Sequence, residues 1–433
     1  MESVAFLTLG CKVNHYETEA MQELFEKKDY EIRGFNEFSD IYIINTCTVT
    51  NLSDRKSRQA ISKARRTNEN AIIAVVGCYS QIKDKEVSNI DGVNVVLGTA
   101  ERSRIVELCE KAKKEKRNVN AVSQLKRDKV FDPLKITQQK EMTRAYIKIQ
   151  EGCSQFCSYC IIPYARGPIC SRNINEIYEE AKNLSDNGYK EVVLTGIHVA
   201  SYGRDDKDGY QLIDVIERVA AIPSIERIRL SSVEPRIITR DFLERAAKLG
   251  KLCDHFHLSL QSGSDRILKA MNRKYDRKMY EERVNLLRQY FPNAGITTDI
   301  IVGFPGEEEE DFEDTLEFSE KMEFSRIHVF KYSQREGTAA SKWGDPVNGN
   351  VKKERSARLI ILGDKLAKRF MEKQKGQSLT VLVEESHDKE YMYGYSSNYL
   401  RIKLDFEEQY LNKIIKVEPI EIKNEELYSK INI

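Results

Sequence analysis

The chain has 433 residues, about three domain lengths, and its 40% apolar content with 22 Gly and 9 Pro excludes a disordered or collagen-like polymer. Its 69 Lys and Arg against 68 Asp and Glu leave almost no net charge, so only local clusters can speak for a polyanionic partner. The longest apolar run, Ala71 to Val76, is far short of the ~18 residues of a membrane span, and the opening Met1-Glu2-Ser3 lacks the basic start of a secretion signal. A cytoplasmic protein without membrane association is expected.

The first ~110 residues alternate apolar strand-like runs with helical ones. VAFLTLG, DIYIINT, AIIAVVG and VNVVLG read as strands buried on both faces. Tyr16–Lys28, Ser53–Arg66 and Ile105–Lys116 read as the helices between them. This is the pattern of an α/β domain with a flavodoxin-like parallel sheet. Lys111 to Arg144 breaks the rhythm, rich in Lys and Arg and poor in periodicity, as a basic, solvated linker would be. From Ala145 six further strand candidates follow, AYIKIQ, EVVLTG, RIRLSS, HFHLSL, TTDIIVG and RIHVFKY, with helices between them. Six βα units in ~190 residues predict a partial (β/α)6 barrel, whose ligands bind at the C-terminal strand ends. A charged helix over Lys352–Lys373 precedes LTVLVEE, YMYGYSS, YLRIKL and IIKVEPIEI, the alternating strands of a small β-barrel.

Nine cysteines, an odd number in a long chain, fit metal binding or thiol chemistry better than a disulfide framework. Cys153, Cys157 and Cys160 stand in GCSQFCSYC, directly after a strand. Three thiolates in one short loop suit a 4Fe–4S cluster with one iron left open, whereas zinc sites usually pair CxxC units. Cys11, Cys47 and Cys78 are far apart in sequence, yet each stands just past the apolar run of a strand. Parallel strands bring their C-terminal ends to one edge, so these three form a candidate second site. Cys109 and Cys253 read as structural, and Cys170, in ARGPICSR, lies close to the cluster loop.

Local charge carries the case for nucleic acid. Asn51 to Glu69 holds 6 basic and 2 acidic residues, with Arg55, Lys56, Arg58, Lys63, Arg65 and Arg66 crowding the helix that leaves Cys47. The terminal barrel is acidic, with 12 Asp and Glu against 9 Lys and Arg from Glu372 onward. Its Tyr391, Tyr393, Tyr395 and Tyr399 suit base stacking or one face of a strand equally.

The loop GCSQFCSYC, with Tyr159 ahead of its last cysteine, resembles the cluster motif of the radical S-adenosylmethionine superfamily. With the upstream cysteines and the runs INTCTVT, TGIHVASYG, LSSVEP, LSLQSGS, TDIIVGFPGE and HVFKYSQREGTAAS, the whole chain resembles the methylthiotransferases. That resemblance divides it into an N-terminal domain over 1–117, a basic linker over 118–143, a radical core over 144–372 and a TRAM barrel over 373–433. The opening LGCKVNHYETEAM is similar to the MtaB-like subfamily, which acts on threonylcarbamoyl-adenosine in tRNA. Cys170 and Lys331 depart from the Arg and Pro usual at their positions, which touches substrate details rather than cluster ligands.

The resemblance implies two 4Fe–4S clusters. One, on Cys153, Cys157 and Cys160, would bind and reductively cleave S-adenosylmethionine, two molecules per turnover. The other, on Cys11, Cys47 and Cys78, would hold the methylated sulfur for insertion at carbon 2 of N6-threonylcarbamoyladenosine next to the tRNA anticodon. No side chain is expected as acid or base, because the cofactors carry the hard step. Tyr159, Gly196, Ser232, Gln261 and Asp299 are candidates around the cofactor, and Asn14, Asn45 and Arg335 toward the substrate. His198 reads as a packed or solvated histidine. An electron donor such as flavodoxin or ferredoxin and a monomeric chain complete the expectation. Alternatives are the same chemistry on isopentenyl-adenosine or on a ribosomal protein aspartate, or a non-enzymatic iron–sulfur sensor or electron carrier.

Overall fold

Six parallel strands build the first sheet: β1 (Ser3–Thr8), β2 (Glu31–Arg33), β3 (Ile41–Thr46), β4 (Ile72–Gly77), β5 (Val93–Leu97) and β6 (Val119–Asn120). The computed structural model describes residues 1–125, 130–137, 143–205, 208–384, 386, 390–423 and 426–431. Every residue of β3 is buried because helices cover both faces of the sheet, and a strand so placed must be apolar throughout. The order β2-β1-β3-β4-β5-β6 is the flavodoxin arrangement. It makes β1, β3 and β4, the strands that precede Cys11, Cys47 and Cys78, immediate neighbours. Helix α1 (Lys12–Glu26) leaves β1, and Met21 and Phe25 on it pack against Val4, Ile41 and Ile43. Helix α2 (Asn51–Thr67) follows β3, with the Thr50 side chain accepting the Ser53 N–H at its start.

The solvated-linker expectation is corrected here. Strand β6 lies inside that stretch and completes the sheet. Beyond it, Leu134 and Ile136 are buried against Tyr16 and Ala20 of α1. The Tyr16 hydroxyl donates to the Leu134 carbonyl at 3.1 Å and to Glu180 of the next domain at 3.0 Å. Two apolar side chains in an otherwise polar segment find cover at a domain boundary, which periodicity does not reveal. The rest of the expected linker, 126–129 and 138–142, lies outside the described residues.

The second domain carries β7 (Ala145–Glu151), β8 (Cys170–Ser171), β9 (Glu191–Gly196), β10 (Arg227–Leu230), β11 (His255–His257), β12 (Gly295–Val302) and β13 (Arg326–Lys331). Apart from β8, which pairs antiparallel with the end of β7, these are the six expected strands. They run parallel as β7-β9-β10 and β11-β12-β13, and the bridges Ile228–Leu252 and Val233–Leu258 join the two groups into one partial barrel. The long helix Gly349–Gln374 packs on β13.

The chain ends in a closed barrel of β14 (Leu379–Val383), β15 (Tyr391–Ser396), β16 (Arg401–Asp405), β17 (Ile414–Lys423) and β18 (Glu426–Ile431), in the order β14-β15-β16-β18-β17. The fifth strand, ELYSKI, was not among the expected ones. Arg227 and Arg229 of β10 dock this barrel. They donate to the carbonyls of Tyr395 at 3.1 Å and Ser397 at 2.9 Å, and Glu191 balances Arg229 at 2.7 Å. Tyr399 stacks on His255 at 4.5 Å and on Tyr395 at 5.0 Å, so these two tyrosines are spent on docking. Tyr391 and Tyr393 lie instead under Lys403 and Arg401, at 3.6 and 4.3 Å. Among the described residues no helix is long and apolar enough to cross a membrane.

Candidate active site

The parallel sheet places Cys11 at the start of α1, Cys47 directly after β3 and Cys78 directly after β4. Gly77 has φ +100°, and a Cβ there would stand 2.6 Å from Asn45 Oδ1 and 2.7 Å from the Thr46 carbonyl, so only glycine turns the chain into Cys78. Burial pushes the Cys47 thiol up, and the neighbouring Cys11 adds to it. Burial pushes Cys78 up to about 11, although Arg166 pulls the other way and Cys47 and Cys11 add a little. The three sulfurs therefore share one locality.

The second trio is held by a loop tied down at almost every residue. Gly152, at φ +72°, lies so close to the Pro168 carbonyl that a Cβ would overlap it, at 1.8 Å. The Cys153 N–H donates to the Gly167 carbonyl at 3.0 Å, and Ser158 donates to Met271 and Ala270 at 3.0 and 2.8 Å. Arg273 donates to Cys157 Sγ at 3.3 Å and to the Tyr275 hydroxyl at 2.9 Å. Burial raises Cys153 to about 11 and Cys160 to about 12. Such thiols stay protonated near neutrality and are poor free nucleophiles.

One side chain reaches from the domain of the second trio to a sulfur of the first. The helix Ile162–Arg166 begins two residues after Cys160 and ends on Arg166, roughly 9 Å of helical rise away. Arg166 donates through Nε to Cys78 Sγ at 3.2 Å, through Nη1 to Glu17 at 2.6 Å and through Nη2 to Asn14 at 2.7 Å. Glu17 also meets Arg102 at 3.1 Å and Lys148 at 2.7 Å, and Glu151 meets Arg166 at 3.1 Å. Burial pushes the Glu17 carboxyl up, but Arg102, Arg166 and Lys148 together outweigh it and hold it at about 2. Three buried cations thus face two buried carboxylates, and the surplus positive charge is aimed at Cys78. A thiolate there, as in a metal cluster, balances it.

The remaining expected residues divide. Asn14 and Asn45 do not reach open space. Asn14 donates to the carbonyls of Leu9 and Thr46 at 2.8 and 3.0 Å, and Asn45 donates to the Asn14 carbonyl at 2.9 Å. Both are fully buried and fasten the cysteine-bearing loops instead of lining a cavity. Arg335 is also buried, donating to Asn51 and Thr48 at 2.6 Å and pairing with Asp54 at 2.7 Å, so it clamps α2 to the radical core. At Gly196 the space expected for a cofactor holds Gln150, whose carbonyl and Oε1 a Cβ would meet at 2.9 and 3.1 Å. Tyr159 packs edge-on against Phe304 at 6.4 Å behind the loop.

Ser232 and Gln261 follow β10 and β11, whereas Asp299 lies inside β12. Ser232 is exposed. The Gln261 N–H donates to the Asp299 carbonyl at 2.8 Å, and Asp299 Oδ2 lies 3.2 Å from His257 Nε2. His198 is committed to Ser201 at 2.6 Å and Glu234 at 3.2 Å. Arg166, Arg273 and Lys12 were not expected. Only Lys12 carried a signal, its place directly after Cys11.

Among the described residues no three His, Cys, Asp or Glu side chains stand close enough to share a single ion; a 4Fe–4S cube takes its thiolates one per iron corner. The soft donors and their cationic partners fit such cubes.

Residues 3–98 match the Uncharacterized protein family UPF0004, and residues 147–319 match the Radical SAM superfamily. The chain is 43% identical over 422 residues to the threonylcarbamoyladenosine tRNA methylthiotransferase MtaB of Bacillus subtilis (strain 168), covering 96% of this chain and 93% of that protein. It is 41% identical to the protein of the same name from Aquifex aeolicus, over 89% of this chain and 93% of that one. To the tRNA-2-methylthio-N(6)-dimethylallyladenosine synthase of Bacillus subtilis it is 35% identical, over 95% of this chain and 82% of that protein. Among solved structures, the radical S-adenosylmethionine methyltransferase TsrM from Kitasatospora setae shares the fold, with TM-score 0.56 at 14% identity over 76% of this chain and 71% of that one. The chain belongs to the radical S-adenosylmethionine methylthiotransferase family, enzymes that transfer sulfur-containing groups with a 4Fe–4S cluster and S-adenosylmethionine.

Proposed function

We propose that this enzyme inserts a methylthio group at carbon 2 of N6-threonylcarbamoyladenosine next to the tRNA anticodon. The observation that carries the reading is the pair of three-thiol sites, one in each of two domains, with Arg166 reaching from the second domain to a sulfur of the first site. Sulfur insertion needs a place to break the C–H bond and a separate place to keep the sulfur. The choice of base is supported by the two Bacillus subtilis relatives, 43% identity to the threonylcarbamoyl enzyme against 35% to the dimethylallyl one.

Cys153, Cys157 and Cys160 would hold the cluster that meets S-adenosylmethionine, and Cys11, Cys47 and Cys78 a second one. When bound, these groups supply a one-electron route to an unactivated C–H bond and the sulfur that replaces the hydrogen. The protein's own side chains position and shield. Arg273 and Arg166 each donate an N–H to a cysteine sulfur and steady its negative charge. Arg236 donates to Gln155 at 3.1 Å and pairs with Glu234, which ties the loops after β9 and β10 to the cluster loop. Val49 and Leu52 beyond Cys47, and Phe156 and Tyr164 around the second trio, are exposed apolar groups on which a base can stack.

Arg55 and Lys56 are exposed on α2 without an ion-pair partner among the described residues, a phosphate-tracking surface beside the thiols. The electron comes from an external donor such as flavodoxin or ferredoxin, and one monomer suffices because both trios lie on one chain. Nucleoside analysis of tRNA from a strain lacking the gene tests the reading. The methylthiolated threonylcarbamoyladenosine should vanish and its unthiolated parent accumulate. Loss of the methylthiolated isopentenyl nucleoside instead would move the enzyme to that substrate, and an unchanged profile would remove tRNA altogether.

A further inference from the structure

Lys12 stands one residue beyond Cys11, at the first turn of α1, and its ammonium leaves the N-terminal domain to face Tyr399 of the C-terminal barrel. Its charge faces Glu191 on β9, Arg229 on β10, His255 on β11 and His328 on β13, strands spread around the barrel wall. Tyr399, the ring nearest this ammonium, stacks on His255 of β11 and lies under Arg229 of β10, so Lys12 stands beside the strands of the partial barrel. The Tyr399 ring lies 5.9 Å below its ammonium, and Arg144 and Arg229 close on the same ring at 5.5 and 4.7 Å. Lys12 remains accessible to solvent.

Its neighbours are committed elsewhere. Glu191 is taken by Arg227 and Arg229 at 3.4 and 2.7 Å, and Arg144 by Glu384 at 3.0 Å. Asp299 lies beside His257. Lys12 has no hydrogen bond or ion pair among the described residues. An ammonium set beside Arg144, Arg229 and His255 around one tyrosine ring, with no ion pair among the described residues, lacks a counter-charge. The missing partner is an anion small enough to enter with the substrate.

We infer that Lys12 is a specificity-determining residue that receives the threonyl carboxylate on N6 of the substrate base. This rests on the threonylcarbamoyl reading above and deepens it. A carboxylate supplies the absent charge and accepts the ammonium's hydrogens, whereas an apolar isopentenyl group would bury the cation unpaired. Because Lys12 adjoins Cys11, anchoring the substituent there brings the same purine ring toward the first thiol trio.

Equilibrium binding tests it, with the anaerobically purified, iron-loaded full chain and three versions of one anticodon stem–loop. They carry N6-threonylcarbamoyladenosine, its methyl ester, or plain adenosine. The wild type should bind the acid at least about tenfold more tightly than the ester. Lys12→Met should lower the acid to the ester's level and leave the ester and plain RNA unchanged, and Lys12→Arg should keep most of the preference. Equal binding of acid and ester by the wild type overturns the proposal without any variant and leaves the methylthiolation reading standing. Equal weakening of all three RNAs by Lys12→Met also overturns it, placing the ammonium on a phosphate. If the wild type methylthiolates an isopentenyl stem–loop and not the threonylcarbamoyl one, the underlying reading falls and the subsite with it.

Discussion

Replacing Arg166 by methionine removes its polar contacts to Cys78, Glu17, Asn14 and Glu151, acceptors in both domains, while keeping an apolar side chain in the space. Truncating one partner of a buried ion pair costs about 3–5 kcal/mol, mostly because the other charge is stranded. Here the stranding is partial. Glu17 keeps Arg102 at 3.1 Å and Lys148 at 2.7 Å, and Glu151 keeps Lys148. Asn14 Oδ1 loses the donor that stood at 2.7 Å. The cost should therefore fall at the lower end, about 3 kcal/mol. For an N-terminal domain of this size that is a fall of about 9–18 °C in its thermal midpoint. Thermal unfolding of the anaerobically purified chain, followed by circular dichroism, reads it directly. Arg166→Lys should recover part of the loss, since one ammonium can pair with Glu17 but not reach Asn14 and Cys78 as well. The double variant Glu17→Gln/Arg166→Met should be more stable than the sum of the single changes by about 1–3 kcal/mol, the signature of direct coupling. A midpoint within about 2 °C of wild type, or strict additivity in the double variant, would refute the surplus-charge argument.

Three further outcomes are expected. Cys157→Ala should abolish formation of 5′-deoxyadenosine, whereas Cys47→Ala should spare it and stop sulfur transfer; chromatography of the nucleosides separates the two, and loss of both activities in folded Cys47→Ala would contradict separate roles. Gly77→Ala forces a Cβ to 2.6 Å from Asn45 Oδ1 at φ +100°; it should cost about 1–3 kcal/mol and release iron from the first trio, and a fully loaded, equally stable variant would count against the turn. At Glu234 burial pushes the carboxyl up, but His198 and Arg236 prevail and hold it at about 2 against an ordinary 4.5. A depressed carboxyl stabilises the fold fully above pH 4.5 and loses that contribution as the pH falls toward 2. The stability gap between wild type and Glu234→Gln should therefore close over that window in urea titrations, and a gap independent of pH would exclude the ion pair.

The architecture was legible where a pattern is local or a topology is forced. Runs such as Ile72–Gly77 read as buried parallel strands and are so, and the helix read at Ser53–Arg66 is observed as Asn51–Thr67. Cys11, Cys47 and Cys78 could be grouped because parallel strands end on one edge. What escaped depends on distance or on weak local signals. Arg166 and Arg273 lie 88 and 116 residues from the sulfurs they contact, so no spacing rule links them. Asn14 and Asn45 read as strand-end polar groups with room to bind, and only the folded chain shows them spent on backbone groups. Strand β18 buries Leu427 and Ser429, so a serine stands where alternation would need an apolar residue, and its six positions do not stand out beside their neighbours. Leu134 and Ile136 looked solvated because the surface that covers them belongs to α1.

Two independent three-thiolate centres underlie all of this, and counting iron and acid-labile sulfide on anaerobically reconstituted protein tests them most directly. The wild type should hold about eight irons per chain. The variant lacking Cys11, Cys47 and Cys78 and the variant lacking Cys153, Cys157 and Cys160 should each hold about four. About four irons in the wild type, or loss of all iron from either folded triple variant, would contradict the account.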